Sequence, residues 1–221
     1  MTWHLRIILA FIVATTLTAG THAADDLPKV LIIGDSISLG YTPIVKAMMK
    51  GEADVVHNQG NAQHTGTGLQ RLKAWLGDTK WDVIHFNWGL WDLCYRNPKA
   101  KTQGRRDKVN GKITYTLEQY EVNLTKLVRQ LKQTDAVLIW GSISPVPEGE
   151  LGRRIGDDLR YNAVAKKIMD ANNITINDLH ATILPRMSEL QVKPGDVHFK
   201  REGSQILADA VVQHIRTALK K

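Results

Sequence analysis

The residues best suited to chemistry are Gly34-Asp35-Ser36-Ile37-Ser38-Leu39-Gly40, which follow the apolar run Lys29-Val-Leu-Ile-Ile33. A serine in the tight turn after a buried strand sits at the mouth of a sheet with its hydroxyl exposed. Backbone N–H groups of the next turn face the same space. A nucleophile and an oxyanion site need those parts. The same serine also suits the cap of a following helix. Three further short blocks stand at comparable places. They are Asn58-Gln59-Gly60-Asn61, Asn87-Trp88-Gly89-Leu90-Trp91-Asp92 and, near the end, Gly195-Asp196-Val197-His198-Phe199.

These blocks need elements to hold them. The run over 29–33 reads as a buried parallel strand, and 53–57, 81–86 and 136–140 read likewise, with 173–176 as a weaker fifth. Helices are expected over 43–50, 67–76, 117–133, 157–171 and 202–219. The clearest is 117–133. Its Leu117, Tyr120, Leu124, Leu127, Val128 and Leu131 fall on one face of a 3.6-residue period. Thr116 and Gln119 form a capping-box pattern ahead of it. Alternating strands and helices predict an α/β three-layer sandwich, with a central parallel sheet of about five strands and helices on both faces. Ligands in such sheets bind beyond the carboxyl ends of the strands, where the blocks fall.

In this order and at these separations, the four blocks resemble the SGNH, or GDSL-like, hydrolase family over residues 29–219. The resemblance implies a flavodoxin-like fold and a serine esterase. It implies Ser36 as nucleophile, His198 as general base and Asp196 as the carboxylate that orients it. It implies an oxyanion hole built from the N–H groups of Ser36 and Gly60. Two positions depart from the family pattern. The third block is usually Gly-x-Asn-Asp, and here Trp91 stands where the asparagine would be. Asn87 shares the parity of Gly89 and Trp91 along an extended chain and is the candidate third oxyanion donor. A structural hydrogen bond at a strand end is its equal alternative. The acid usually lies three residues before the histidine, where this chain has Gly195; Asp196, two before, takes that role.

Asp35, His64, Trp88 and Trp91 are candidate substrate contacts, the tryptophans as stacking surfaces or as pocket wall. His57, His85 and His180 read as structural. No pair of histidines has metal-ligand spacing with a carboxylate, so neither metal nor cofactor is expected.

Arg6, the apolar stretch from Ile7 to Val13 and the small residues up to Ala23 read as a secretory signal peptide over 1–23. The expectation is therefore one domain over 24–221, periplasmic or secreted, with no stable membrane insertion after cleavage. The lone Cys94 allows no internal disulfide. The net charge is +7, and loss of Arg6 leaves +6. No nucleic-acid motif accompanies it, so no nucleic-acid partner is expected. Seven basic residues crowd the polar segment 93–113, a length that marks a functional or disordered loop.

Together these features predict an esterase for short acyl groups, foremost acetyl, on a small ester or acylated carbohydrate. A lysophospholipase, thioesterase, arylesterase or acyltransferase on the same scaffold is the nearest alternative. A non-catalytic carbohydrate-binding protein that kept the fold is the alternative of another class.

Overall fold

A computed structural model describes residues 27–220. The signal peptide expected over 1–23 lies outside the described residues. Five parallel strands form the central sheet: β1 (Lys29–Ile33), β2 (Asp54–His57), β3 (Val83–Phe86), β6 (Val137–Gly141) and β7 (Thr175–Asn177). Their order is β2-β1-β3-β6-β7, with each neighbouring pair parallel. The order in which strands are added reverses beside β1, so the end of β1 opens on the crevice where α/β folds bind ligands.

Alternation along the strands splits the core in two. Leu31, Ile33, Ile84, Phe86, Leu138 and Trp140 face α2 (Thr65–Leu76), α3 (Leu117–Leu131) and α4 (Asp157–Ala171). Val30, Ile32, Val55, Val83 and Ile139 face α1 (Ser36–Met48) and α7 (Arg201–Leu219), with α5 (Leu179–Ile183) and α6 (Met187–Leu190) at the margin. A strand covered on both faces is apolar on both, which is why these segments read as continuous hydrophobic runs. The capping box at Thr116 and Gln119 forms as expected.

Two stretches differ from the sequence expectation. Helix α1 begins at Ser36, not at 43, because Asp35 caps it by accepting the Ile37 N–H at 2.9 Å. Pro43 lies inside α1. Segment 93–113 is ordered. It holds a short antiparallel pair, β4 (Tyr95–Arg96) with β5 (Lys112–Ile113), and a 3₁₀ turn at Gln103–Arg105. It is tied down where the Tyr95 N–H donates to Gly152 O at 2.6 Å and the Lys108 N–H to Leu151 O at 2.9 Å.

Candidate active site

Each block at a strand end supplies one part of the site. The β1–α1 turn places Ser36 as the first residue of α1. Its hydroxyl lies 2.8 Å from His198 Nε2. His198 Nδ1 lies 2.6 Å from Asp196 Oδ1, and the His198 backbone N–H donates to the same oxygen at 3.0 Å. With Nδ1–H donating to the carboxylate, Nε2 keeps its lone pair for the serine proton. Burial works against charge on Asp196. The two hydrogen bonds from His198, helped by the nearby His198 and Arg106 charges, nevertheless hold its carboxyl below the ordinary range. It therefore remains an anion, and an anion is what stabilises an imidazolium.

The second block supplies a backbone donor. Gly60 has φ +75°, a left-handed conformation that favours glycine, and a side chain there would point into open space. Among the described residues no hydrogen bond uses the N–H of Gly60 or of Ser36. Asn58 braces the two turns. Its Oδ1 accepts the Gly34 N–H at 2.9 Å, and its Nδ2 donates to Gly60 O at 3.2 Å. Ala62 N–H donates to Gly34 O at 3.0 Å, a second tie between the same turns.

The third block is largely structural. Gly89 has φ +149°, and a Cβ there would lie 2.1 Å from Ile143 Cδ1. Asp92 is fully buried and accepts the Thr65 N–H and hydroxyl, which ties this block to the start of α2. Burial raises its carboxyl to about 7, against the opposing bonds from Thr65.

A cleft of about 360 Å³ opens beside Ser36 and His198, and Asp35, Trp91 and three arginines help to line it. Of the expected substrate contacts, Asp35 and Trp91 therefore reach the cleft. Asp35 also caps α1, and burial raises its carboxyl despite the Ile37 bond and the Arg153 and His198 charges. The other two expectations are corrected. Trp88 is only 1% exposed, packed on Phe86 and against Gly68 of α2, so no substrate reaches it. His64 does not line the cleft; it caps α2 by accepting the Thr67 N–H at 3.1 Å and packs edge-on against Tyr115. Asn87 has a different partner from the one sought. Its Nδ2 donates to Gly141 O at 2.6 Å, the strand-end hydrogen bond that was its alternative.

Sequence reasoning missed Arg153 and Leu90. Both line the cleft, and the Arg153 Nε donates to Leu90 O at 2.6 Å. Arg153 opens no motif and lies 117 positions from Ser36, so only the packed structure brings it there.

A serine, a histidine and a carboxylate aligned at the carboxyl ends of a parallel sheet, with free N–H groups beside the serine, are the parts of an acyl-transfer site. The fold that carries them is that of the GDSL-like lipases and acylhydrolases. A lipase/acylhydrolase from Enterococcus faecalis superposes with a TM-score of 0.70 at 20% identity, over 86% of this chain and 96% of that one. An acetylxylan esterase from Geobacillus stearothermophilus gives 0.67 at 21% identity, over 85% and 94%. A GDSL-like lipase from Bacteroides thetaiotaomicron gives 0.63 at 18%, over 86% and 88%. No protein-family model and no curated protein matches the sequence.

Proposed function

We propose that the chain is an exported serine esterase that hydrolyses short acyl esters, foremost acetyl, on carbohydrate. The observation that carries this reading is the hydrogen-bonded line from Asp196 through His198 to Ser36, at 2.6 and 2.8 Å. Ser36 Oγ attacks the ester carbonyl carbon as its proton passes to His198 Nε2. The carbonyl oxygen takes the negative charge and is met by the N–H groups of Ser36 and Gly60. Collapse breaks the bond to the alcohol oxygen, which leaves with the proton from Nε2. Water then repeats the sequence on the acyl-serine and releases the carboxylic acid and free Ser36. Asp196 holds neutral His198 in its Nδ1–H tautomer, stabilises the imidazolium when it forms and remains charged.

Export rests on the composition of residues 1–23. Among the described residues, no helix is long and apolar enough to cross a membrane. The carbohydrate and the acetyl group draw support from the acetylxylan esterases among the similar folds.

A fluorophosphonate probe tests the core of the proposal. It should label the purified protein at Ser36, and Ser36→Ala should lose both the label and acetate release from 4-nitrophenyl acetate. A folded protein that resists the probe and releases no acetate is not an esterase.

A further inference from the structure

Three guanidinium groups, those of Arg96, Arg106 and Arg153, line the cleft that holds Ser36 and His198. Cations gathered in one half-buried cleft repel one another and must be compensated. The compensation is partial. Glu150, fully buried, is shared by Arg106 and Arg153, each with its Nη1 2.9 Å from the same carboxylate oxygen. Arg96 has no carboxylate partner among the described residues. It lies 4.4 Å above the Trp91 ring and donates from Nη1 to Gly104 O. Burial, and then the neighbouring Arg153 and Arg106, disfavour charge on Arg96. The carboxylates nearer the nucleophile do not balance the group. Asp196 is engaged by His198, and Asp35 is buried and raised.

The guanidiniums also retain donors. Arg106 uses Nε, to Gln103 O, and Nη1; Arg153 uses Nε, to Leu90 O, and Nη1. Among the described residues no hydrogen bond uses Nη2 of Arg96, Arg106 or Arg153. A guanidinium edge with free N–H groups is matched by a planar carboxylate.

The role of His198 indicates which half of the ester extends into this cleft. His198 Nε2 delivers its proton to the leaving oxygen, so the alcohol lies against His198. Arg96, Arg106 and Arg153 line the same cleft as His198, so an anionic group carried by that alcohol lies within the space they border. The cleft volume also far exceeds what an acetyl group fills, and it suits a ligand of sugar size.

We infer that the alcohol half of the substrate is an anionic sugar whose carboxylate is held by Arg96 and Arg106, with Arg153 behind them. This rests on the esterase reading for the word substrate, although the binding it claims is measurable without turnover.

The test uses Ser36→Ala protein and calorimetric titration with an O-acetylated uronic-acid oligosaccharide. The comparison ligand is the same oligosaccharide with its carboxylates converted to carboxamides. The carboxylate form should bind about tenfold more tightly or better, as charged hydrogen bonds in a half-buried site allow. Arg96→Gln, combined with Ser36→Ala, should remove most of that preference. It breaks no ion pair, which keeps the comparison usable if Arg106→Gln disturbs Glu150. Arg96→Lys should restore part of it, since charge returns without the planar edge. Arg105→Gln should match the parent, because the Arg105 guanidinium turns to Pro98 O and does not line the cleft.

Equal affinity for carboxylate and carboxamide overturns the inference. Tighter binding of a sulfated neutral oligosaccharide than of the uronic acid overturns the carboxylate assignment. A wild-type protein that hydrolyses 4-nitrophenyl acetate yet ignores the carboxylate refutes the inference and leaves the esterase standing. One that prefers the carboxylate and hydrolyses nothing does the reverse.

Discussion

Two serine–histidine pairs lie two residues apart at the start of α1, and their hydroxyl–imidazole distances are nearly equal. Ser36 Oγ is 2.8 Å from His198 Nε2, and Ser38 Oγ is 2.7 Å from His57 Nε2. They differ in what stands behind the histidine and what stands in front of the serine. Behind His198 is the Asp196 carboxylate; behind His57 is the Asn58 carbonyl, 2.8 Å from Nδ1. Either partner fixes a tautomer, but only the carboxylate carries the charge that stabilises a protonated ring. Ser36 borders the cleft, with the His198 side chain 43% exposed. Ser38 is 2% exposed and also reaches Asp35 O at 2.7 Å, so its one proton is shared between internal partners. A short serine–histidine distance therefore does not define a nucleophile. Access and the charge of the third partner do.

The largest test of this contrast replaces each serine in turn. Ser36→Ala should cost up to about 10⁶ in kcat, and His198→Ala a similar amount. Ser38→Ala should cost less than about tenfold in kcat, with roughly 1–2 kcal/mol of stability for a buried hydrogen bond. Steady-state kinetics and urea unfolding on both variants decide it. A Ser38→Ala loss comparable to Ser36→Ala would reverse the assignment.

The third partner gives the next effect. Asp196→Asn keeps the shape and removes the charge, and should lower kcat by about a hundredfold or more. Near-normal turnover in the folded variant would mean that a dyad suffices, which would erase the distinction drawn from Asn58 behind His57.

Asn87 sharpens the front of the site. Loss of a true oxyanion donor costs about 10²–10³ in kcat. With its Nδ2 committed to Gly141 O, Asn87→Ala should cost about tenfold or less and should chiefly lower stability. A hundredfold fall in kcat at unchanged KM would restore it to the oxyanion hole.

The smallest effect is a pH dependence of stability. Burial lowers the pKa of His57 in the folded protein, and it drives fully buried His85 down to about 3. Below about 6.5 the unfolded chain therefore binds protons that the folded chain refuses. Stability should fall as pH drops through that value, with His85 the larger contributor. His57→Gln should unfold with a smaller difference between pH 7.5 and pH 5.5 than the parent shows. An unchanged difference would mean that His57 titrates alike in both states.

Much of this was legible in the sequence, and the reasons for the rest are physical. The central strands β1, β3 and β6 could be read because burial on both faces makes them largely apolar, while β7, with Thr175 exposed, gave a weaker signal. Helix α4 was placed at its observed bounds, and α3 could be read from its stripe and cap. Ser36, Asp196 and His198 were legible as blocks, and the structure brings them within hydrogen-bonding reach. The start of α1 was misread because its working cap, Asp35, sits inside the chemical motif. The short helices α5 and α6 span too few turns to show a period. Trp88 and His64 drew attention by residue type, but type does not say which way a side chain faces. Arg153 carried no local signal at all, because its place in the cleft is set by a loop after β6 that meets the segment following β3 at Leu90.

Ser36 opens the first helix of the described residues, whereas His198 stands just ahead of the last, which begins at Arg201. Helices α1 and α7 pack together over the same face of the sheet. In the order of synthesis, Ser36 is made early and its partner arrives 162 residues later. A growing chain thus carries Ser36 before His198, on a sheet whose α1 face still lacks α7. A chain cut before Asp196 lacks both hydrogen-bonded partners of the Ser36 site and should be inert rather than weakened.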